Sequence, residues 1–436
     1  MFEACRAFYE ETHAPTSFVP GKTYLPASAK TLDVTDLLYL ADSALDLWLT
    51  SGRFAAELEK ELCRLMNRRS PALLVNSGSS ANLLAISSLG SSMLKSFGFS
   101  PIVKGDEVIT VAAGFPTTVN PIVQNGWVPV FVDVELETLN AKIDVIREAQ
   151  TSKTRAVVLA HTLGNPYRAD LVADWCKAEG LYLIEDSCDA LGGTINGHPV
   201  GSFGHYATLS FYPAHHITTG EGGSVIACKS DFRRVAESIR DWGRDCWCDP
   251  GKENTCGKRF GWHLGNLPEG YDHKYTYSTI GFNLKMTDMQ AALGVSQIKK
   301  LESFVAARRA NWNILFNGVQ QSPTLSEALT PIQPTPQTNP SWFGFPMVCQ
   351  KRIDRNKLVR FLEDHKVGTR LVFAGNLTRQ PAYRGVDFRT HGTLEATDEV
   401  MRRAFWIGAH PSLDEVRLTY MLEQLESGVK TAYIPQ

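Results

Sequence analysis

The sequence predicts an α/β protein, with a mostly parallel sheet in a large domain and a small α+β domain at the C-terminal end. From about residue 70 to 193, short β-rich runs alternate with stretches of helical periodicity. Such alternation favours a parallel sheet covered by helices on both faces. A segment rich in proline, threonine and serine at 321–341 then precedes a short mixed pattern at 342–436, which is typical of a linker followed by a second domain.

The predicted elements follow one another in a simple order. Helices come first, within residues 30–66, where apolar positions recur at spacings of three and four. The predicted strands are PALLVNSG, DEVITVAAG, VPVFVDV, RAVVLAH, YLIED, ATLSFYP and GGSVIACKS. Helical stretches follow the first five of them: SANLLAISSLGSSML, TTVNPIVQNG, NAKIDVIREAQ, DLVADWCKAEG and CDALGG. A long helix is predicted from Thr287 to about Asn317.

The region 242–285 is rich in Gly, Cys, Trp and Tyr and has little periodicity, which predicts a long loop. Its seven aromatic residues between Trp242 and Tyr277 argue against disorder. The predicted division is an N-terminal segment, a large domain that contains this cysteine-rich loop, a linker and a small domain, at 1–29, 30–320, 321–341 and 342–436.

Composition excludes several classes of protein. The 436 residues are 43% hydrophobic and 21% charged, which is typical of a globular protein and not of a fibrous or disordered one. A net charge of −2 gives no basic surface for nucleic acid. Apolar runs fall far short of the roughly 20 residues that a membrane helix needs. The N-terminus shows no apolar signal segment, so we expect a cytoplasmic protein without membrane or nucleic-acid partners.

The segment VNSGSSANLLA, residues 75–85, is the first candidate site. It places Gly78, Ser79 and Ser80 between a predicted strand and a predicted helix. Backbone N–H groups at a helix N-terminus, with hydroxyls beside them, form an anion site. A serine that merely caps the helix explains the same pattern, so both interpretations stand at this point.

The segment LIEDSCDALGG, residues 183–193, is the second candidate, because Asp186 ends an apolar strand. Open α/β sheets bind their ligands at the carboxyl ends of strands. A buried carboxylate there needs a cationic partner, and a protonated pyridine nitrogen would be one. A helix-capping aspartate is the alternative.

The segment LSFYPAHHITTGEGGSV, residues 209–225, makes a resemblance specific. Together with SGSSAN and EDSCDALGG, it resembles the sugar aminotransferase branch of the fold-type I, pyridoxal-phosphate-dependent enzymes. Ser210 and Phe211 match that family's pattern, and so does the run 220–223, Gly-Glu-Gly-Gly. The segment GFNLKMTDMQAALG, 281–294, matches as well. The resemblance covers about residues 20–430 and implies the aspartate-aminotransferase-like fold and a homodimer with its active site at the interface.

One position departs from the family pattern. Where the family has its Schiff-base lysine, this sequence has His215. An imidazole cannot hold the cofactor covalently as lysine does, but it can move protons near neutral pH. The chain therefore resembles the 3-dehydratase subgroup, which uses pyridoxamine phosphate. His216 is adjacent, and if the segment is a strand the two rings face opposite sides; one surface and one packed histidine would be the non-catalytic explanation.

Four cysteines, Cys188, Cys246, Cys248 and Cys256, have the number of thiolates that zinc or an iron–sulfur cluster requires. Their spacing alone does not choose the metal, and scattered free thiols are the remaining alternative. The spacing resembles that of the iron–sulfur member of the 3-dehydratase subgroup, which implies a 2Fe-2S cluster. Because Cys188 follows Asp186 by two residues, the chain separates them by under about 7 Å, so such a cluster would lie near the pyridine ring.

The resemblance also implies roles for other residues. The cofactor phosphate would be held by Gly78, Ser79, Ser80 and Ser210, with Asn283 from the partner subunit; Asp186 would pair with the pyridine nitrogen, Asp189 would lie near the ring hydroxyl and Phe115 would stack on the ring. The candidates for binding a nucleotide diphosphate are Arg370, Arg379, Arg402 and Arg403.

The implied activity is removal of the 3-hydroxyl from a CDP-linked 4-keto-6-deoxyhexose, within 3,6-dideoxyhexose synthesis for a surface polysaccharide. The implied partner is an NAD(P)H-dependent flavin and iron–sulfur reductase that supplies electrons through the cluster. A GDP- or TDP-sugar 3-dehydratase is one alternative. A true aminotransferase would need lysine at position 215, and a cofactor-binding regulator would need a DNA-binding domain, of which no segment gives a sign.

Overall fold

Helices and strands alternate along the large domain as the sequence predicts. The computed structural model describes residues 2–13, 17–70, 72–248 and 251–434. The helices within these ranges are α1 Phe2–Thr12, α2 Val34–Leu45, α3 Arg53–Leu65, α4 Gly78–Leu89, α5 Pro116–Gln124, α6 Ile143–Glu148, α7 Ala169–Glu179, α8 Ser230–Arg240, α9 Asp288–Ile298, α10 Leu301–Gln321, α11 Pro323–Ala328, α12 Arg355–Asp364, α13 Glu395–Arg403 and α14 Glu415–Ala432. The strands are β1 Leu73–Val75, β2 Glu107–Val111, β3 Val128–Val132, β4 Thr154–Ala160, β5 Tyr182–Asp186, β6 Thr194–Ile195, β7 His198–Pro199, β8 Tyr206–Ser210, β9 Gly223–Ala227, β10 Leu329–Pro331, β11 Thr338–Asn339, β12 Phe345–Cys349, β13 Thr369–Arg370, β14 Arg389–Thr390 and β15 Ala404–Ile407.

The central sheet has eight strands in the order β1-β9-β8-β5-β4-β2-β3-β14. Strand β9 is antiparallel to both of its neighbours, and all the other neighbouring pairs are parallel. The predicted mostly parallel sheet is thereby confirmed. Because parallel strands end at the same edge, the residues that follow β2, β5 and β8 meet there, which is where such sheets bind ligands.

Both faces of this sheet are buried. Along β4, Val157 and Leu159 belong to one apolar core, whereas Ala156 and Val158 belong to another on the opposite face. Side chains that alternate between two cores explain why the strands are continuously apolar in sequence instead of alternating apolar and polar residues.

The small C-terminal sheet is antiparallel, with the order β10-β12-β15-β13. The predicted N-terminal segment 1–29 is tied to this part of the chain, since Leu25 N donates to Lys366 O at 2.8 Å and Leu25 O accepts from Gly368 N at 2.8 Å. Strand β14 comes from the C-terminal part of the chain but pairs with β3, and it forms the edge of the large sheet. The N-terminal segment thus contacts the C-terminal part of the chain, and one strand of that part lies in the large sheet, which a division at single sequence positions does not capture.

The prediction of a linker at 321–341 needs correction. This segment contains α11 and the small-sheet strand β10, and Leu325, Ala328 and Leu329 are buried in the core of the small domain. Its prolines are compatible with regular structure because Pro323 lies in the first turn of α11 and Pro331 lies in an edge strand. Proline content therefore suggested a linker where the chain is packed.

Two further elements differ from the sequence prediction. The single helix expected from Thr287 is broken at Lys299–Lys300 into α9 and α10, and Lys300 Nζ there pairs with Asp33 at 2.7 Å and with Asp36 at 2.8 Å. A two-residue break leaves the apolar periodicity nearly unchanged, so the pattern could not show it. The predicted helix CDALGG is a series of turns, with Gly192 at φ +87°.

The cysteine-rich loop 242–285 is confirmed as irregular, with one short 3-10 turn at His273–Tyr275 in its described part. It has a packed centre of its own. His273 is 1% exposed, its ring lies 4.9 Å from that of Trp262 and 5.4 Å from that of Trp247, and its Nε2 lies 2.8 Å from Asp245 Oδ2. In the described ranges, no helix has both the length and the apolar content to cross a membrane.

Gly164, in the turn that follows β4, should not tolerate a larger residue. It has φ +86°, and a Cβ there would lie 2.0 Å from Ser341 O. We expect Gly164→Ala to destabilise the protein by at least about 3 kcal/mol, because a backbone clash adds to the left-handed strain. Gly197→Ala is the matched control, with φ +80° and no atom within 4 Å of the added Cβ, and should cost about 1 kcal/mol. Urea unfolding measures both, and equal losses would contradict the clash.

Candidate active site

Asp186 ends β5 at the carboxyl edge of the large sheet and is 5% exposed. Its Oδ2 accepts hydrogen bonds from Asn82 Nδ2 at 2.8 Å and from Thr118 Oγ1 at 2.7 Å. Thr208 donates to Asn82 Oδ1 at 2.6 Å, which orients the amide so that its NH₂ group faces Asp186. Both donors are neutral, so neither of them is the cationic partner that the sequence predicts for this carboxylate.

The first turn of α4 lies directly against the end of β8. A Cβ on Gly78 would lie 2.4 Å from Ser210 Cβ, so no larger residue fits there without movement. The helix cap is Ser77, whose Oγ accepts from Ser80 N at 3.0 Å. The first backbone N–H groups of a helix have no acceptor within it, and the hydroxyls of Ser79 and Ser210 stand beside them. The helix cap is therefore observed at Ser77, and an anion site at Gly78, Ser79 and Ser80 stays a prediction.

Phe115 lies immediately before α5 and three positions before Thr118, so one face of this turn carries both residues. Its ring is 49% exposed and meets the ring of Phe373 edge to face, with centroids 6.1 Å apart. Thr118 bonds Asp186, so the turn that carries Phe115 lies at the same edge of the sheet as Asp186. Phe115 is therefore an exposed aromatic side chain at that edge. This placement fits the predicted stacking role.

His215 lies in a turn after β8, not in a strand, and its N–H donates to Tyr212 O at 2.9 Å. Its Nδ1 lies 3.4 Å from Asp189 Oδ1 but makes no hydrogen bond. His216 points elsewhere: it is 3% exposed, and its Nε2 lies 2.8 Å from Ser341 O. The two histidines are thus separated by the turn, and His215 is the one that faces the segment after Asp186.

The protonation of this pair follows from its burial. Burial lowers the pKa of His215 to about 4. The charge of Arg308 also lowers this pKa, whereas the charge of Asp186 raises it in part. Burial and the charge of Asp186 raise the pKa of Asp189 to about 8. At pH 7 the imidazole is therefore neutral and the Asp189 carboxyl is mostly protonated, so the 3.4 Å contact is not an ion pair.

These residues fit pyridoxamine phosphate. Gly78 starts α4 directly against Ser210, so the free N–H groups of the helix N-terminus lie beside the Ser210 hydroxyl, and this combination suits a phosphate. Asp186 suits the pyridine nitrogen, and the buried, unbonded Nδ1 of His215 marks an incomplete hydrogen-bond network beside it. Asn283, predicted to reach the phosphate of a partner subunit, is exposed on this chain.

Three of the four predicted cluster cysteines lie together in the loop. Cys246, Cys248 and Cys256 line one small cavity, which they share with His273. Burial raises the pKa of the Cys246 thiol, and the nearby thiols of Cys248 and Cys256 add to this. Partial burial also opposes ionisation of Cys248, but hydrogen bonds with Thr255 outweigh it and lower the pKa of Cys248.

Cys188 lies apart from this cavity. Its N–H donates to Asp186 Oδ1 at 3.2 Å. Burial and the charges of Asp186 and Asp189 raise the pKa of its thiol well above the usual range, so it is not a thiolate in this arrangement. In the part of the chain that the structure describes, no three Cys, His, Asp or Glu side chains are arranged to hold a metal ion. The four-cysteine ligand set is therefore not assembled here.

Three of the four predicted diphosphate-binding arginines are paired with carboxylates of α13. Arg379 and Arg402 contact Asp398, and Arg403 contacts Glu399. A guanidinium that already has such a partner is a weaker candidate for a phosphate, because the existing pair has to be exchanged. Their role in binding substrate stays a prediction.

The segment that carries Arg370 and Arg379 nevertheless lies along the edge of the site. Leu377 N donates to Ala112 O at 3.0 Å, and Phe373 contacts Phe115. Arg370 is exposed and bonds the carbonyl of its own neighbour, Thr369, at 2.7 Å. Of the four, it is the one for which no ion pair with a carboxylate of α13 is observed, and its role in binding substrate also stays a prediction.

A cavity of about 320 Å³ lies away from these residues, between α3, α8 and the cysteine-rich loop. Arg234, Arg240, Cys246 and Trp247 are among its lining residues, whereas neither Asp186 nor His215 is. Its volume alone does not identify it as the active site. The chemistry assigns the active site to the strand ends, where a buried carboxylate, a helix N-terminus and a buried base meet.

Sequence reasoning missed Asn82, Thr118 and Arg308. Asn82 follows Gly78 by four positions and therefore lies on the same helix face, so the SGSSAN motif held the signal for it. Thr118 likewise lies one turn after Phe115. Arg308 had no sequence signal, since an arginine in a long amphipathic helix is usually a surface residue.

The mostly parallel large sheet, the small antiparallel sheet and the site at the strand ends define the chain as an α/β protein of the fold-type I class. The DegT/DnrJ/EryC1/StrS aminotransferase family matches residues 31–426. This chain belongs to that family.

Relatives within the family are similar over nearly the whole chain. A dTDP-4-dehydro-2,6-dideoxy-D-glucose 3-dehydratase of Saccharopolyspora spinosa is 50% identical over 98% of this chain and 90% of its own length. The lipopolysaccharide biosynthesis protein RfbH of Salmonella typhimurium is 48% identical over 96% of this chain and 95% of its own. A solved Escherichia coli GDP-4-keto-6-deoxy-D-mannose 3-dehydratase with bound hydrated PLP is 26% identical, with a TM-score of 0.81 over 92% of this chain and 100% of that one.

Proposed function

We propose that this chain is a pyridoxamine-phosphate-dependent 3-dehydratase of a nucleotide-linked 4-keto-6-deoxyhexose. The observation that carries the proposal is His215, which stands where the resembling aminotransferases have their lysine and which faces the turn after Asp186. A neutral imidazole can accept a proton but cannot bind the cofactor covalently. The 3-dehydratase activity in the names of two similar proteins supports the same reaction class.

Each residue of the site has a distinct task in this proposal. When bound, the cofactor supplies an amine for the ketone of the sugar and a ring that acts as an electron sink. Asp186 pairs with the ring nitrogen, and the Asn82 and Thr118 bonds hold that carboxylate in place. With the cofactor bound, His215 would take a proton from the cofactor carbon that bears the amine and give it to the 3-hydroxyl of the sugar, which would leave as water.

The nucleotide is better assigned to TDP than to the CDP expected from the sequence. The relative at 50% identity has a dTDP-linked sugar in its name, and more distant ones have GDP-linked sugars. None of these names contains CDP. A dTDP-linked substrate is therefore our first candidate, with GDP and CDP as the alternatives to be compared with it.

We further propose that Cys188, Cys246, Cys248 and Cys256 bind a 2Fe-2S cluster, because their spacing resembles that of the iron–sulfur member of the 3-dehydratase subgroup. The shared cavity of the three loop cysteines supports this, while the separate position of Cys188 does not. We therefore derive no step of the reaction through a cluster. With one, the chain would need an NAD(P)H-dependent flavin and iron–sulfur reductase, for which we expect the loop 242–277 to be the docking surface.

We also propose a homodimer. Asn283 is exposed, and so are several apolar side chains near it in sequence, including Tyr277, Ile280 and Met289. Ile280 is 94% exposed, and apolar side chains grouped in this way usually mark an interaction surface.

Replacement of His215 tests the base. We expect His215→Asn to bind pyridoxamine phosphate within about threefold of the parent and to lose about 10²- to 10⁴-fold in dehydration rate, the usual contribution of a general base. Fluorescence titration measures binding, and chromatography measures the product. Borohydride should trap no covalent adduct in the parent, and dialysis should remove the cofactor. His216→Gln is the control, and a loss of rate as large as that of His215→Asn would contradict the assignment.

Replacement of Cys248 tests the metal. If the cluster forms, Cys248→Ser should abolish the visible absorbance and the bound iron of anaerobically purified protein, because a ligand thiolate is lost. Cys228→Ser, at a partly buried cysteine outside the proposed set, should retain both. Zinc without iron in the parent would exclude an iron–sulfur cluster.

A substrate comparison tests the function itself. The parent protein with pyridoxamine phosphate is offered dTDP-, GDP- and CDP-linked 4-keto-6-deoxyhexoses, each with and without NADH and a flavin iron–sulfur reductase. We expect loss of the 3-hydroxyl with one of them, the dTDP sugar first. Transfer of an amino group from glutamate to the sugar, with no loss of oxygen at carbon 3, would contradict the proposal. Deoxygenation at a rate independent of the reductase would exclude that partner.

A further inference from the structure

Arg308 is a buried cation for which the proposed reaction has no use so far. It lies in α10, is 1% exposed, and its Nε is buried without a hydrogen-bond partner. Burial lowers the pKa of its guanidinium to about 10, against the charge of Asp189. Burial of a charged guanidinium without a bonded carboxylate costs free energy. We therefore asked which contacts of Arg308 a neutral side chain could not make.

The guanidinium of Arg308 joins two segments that are far apart in sequence. Its Nη1 donates to Trp342 O at 3.2 Å and to Phe343 O at 2.9 Å, and its Nη2 donates to His215 O at 3.4 Å. These contacts connect the helix behind the site to the turn that carries the proposed base. A planar group with five donors can make such a set of bonds, whereas lysine can make only part of it.

The segment bonded by Arg308 also contacts the His215 turn with its side chains. The Phe343 ring lies 5.1 Å from the His215 ring, and Ser341 O lies 2.8 Å from His216 Nε2. The turn after β8 has no regular secondary structure of its own to keep His215 in place. Its position therefore depends on these contacts.

We infer that Arg308 is a positioning residue, which holds the His215 carbonyl and the 342–343 segment together so that the imidazole stays directed at the site. This inference rests on the proposed function only for its catalytic consequence. A displacement of about 1 Å in a catalytic group can cost about 100-fold in rate. The role is therefore visible in turnover and in the local environment of His215, and much less in cofactor binding.

Substitutions at Arg308 separate positioning from stability. Arg308→Met removes the donors at similar size, Arg308→Lys keeps the charge and part of the bonding, and Arg309→Met is the matched control. Arg309 is the next residue, and it bonds the carbonyls of Pro340 and Gly192 instead of the His215 turn. We expect Arg308→Met to lower kcat about 100-fold, with KM and the affinity for pyridoxamine phosphate within threefold of the parent. Arg308→Lys should recover about tenfold, and Arg309→Met should stay within threefold.

A second measurement does not need the substrate. In protein labelled with ¹³C-histidine, the His215 Cε1–Hε1 signal is identified by its absence from His215→Asn. It should shift or broaden in Arg308→Met and stay unchanged in Arg309→Met, whatever the sugar is. An unchanged signal together with parental kcat in a folded Arg308→Met would overturn the inference. If Arg308→Met does not fold, the same two measurements are made on Arg308→Lys. A parental kcat together with an unchanged His215 signal in Arg308→Lys would then overturn the inference.

Discussion

The site depends on one buried carboxylate. Asp186 is held by Asn82 from α4 and Thr118 from α5, and Asn82 is itself oriented by Thr208 from β8. A desolvated charge is tolerated only where donors surround it. The same bonds that satisfy Asp186 therefore fix two helices and two strands relative to one another. The helix N-terminus with Gly78 and the exposed ring of Phe115 belong to these same helices, so their positions follow from that of the carboxylate.

The other half of the site is fixed by close backbone contacts. Ser341 N donates to Gly164 O at 3.1 Å, and Ser341 Oγ donates to Leu191 O at 2.8 Å. The segment that leads into the small domain thus contacts the turns after β4 and β5 as well as the His215 turn. Turns without regular structure need such external contacts to hold a functional side chain. The turn that carries the proposed base is consequently contacted by Ser341, a residue that sequence composition assigned to a linker.

The sequence was sufficient for the alternation of strands and helices, because strands buried on both faces, such as β4, have a strong apolar signal. It was also sufficient to predict that Asp186 ends a strand and that Gly78 lies at the start of a helix. It failed where long-range packing decides. The segment with Pro323 is helical because its apolar residues reach the small-domain core, and Lys300 marks a helix break through ion pairs with residues more than 260 positions away. Which arginines meet carboxylates, as Arg379 meets Asp398, depends on tertiary contacts that no local pattern contains.

A histidine in place of lysine changes what the rest of the site has to do. A lysine would hold the cofactor by a covalent bond, so the phosphate and ring contacts would need only to orient it. With His215 at this position, the proposed site would retain the cofactor by non-covalent contacts alone, and the α4 N-terminus and Asp186 are the residues proposed to make them. No covalent anchor would then duplicate two features of the proposed site. One is Gly78, which lets α4 approach Ser210, and the other is the network of Asn82, Thr118 and Thr208 on Asp186. A cofactor held in this way could also leave, which is compatible with the proposed role of His215, since a base has to remain free to move a proton in every turnover.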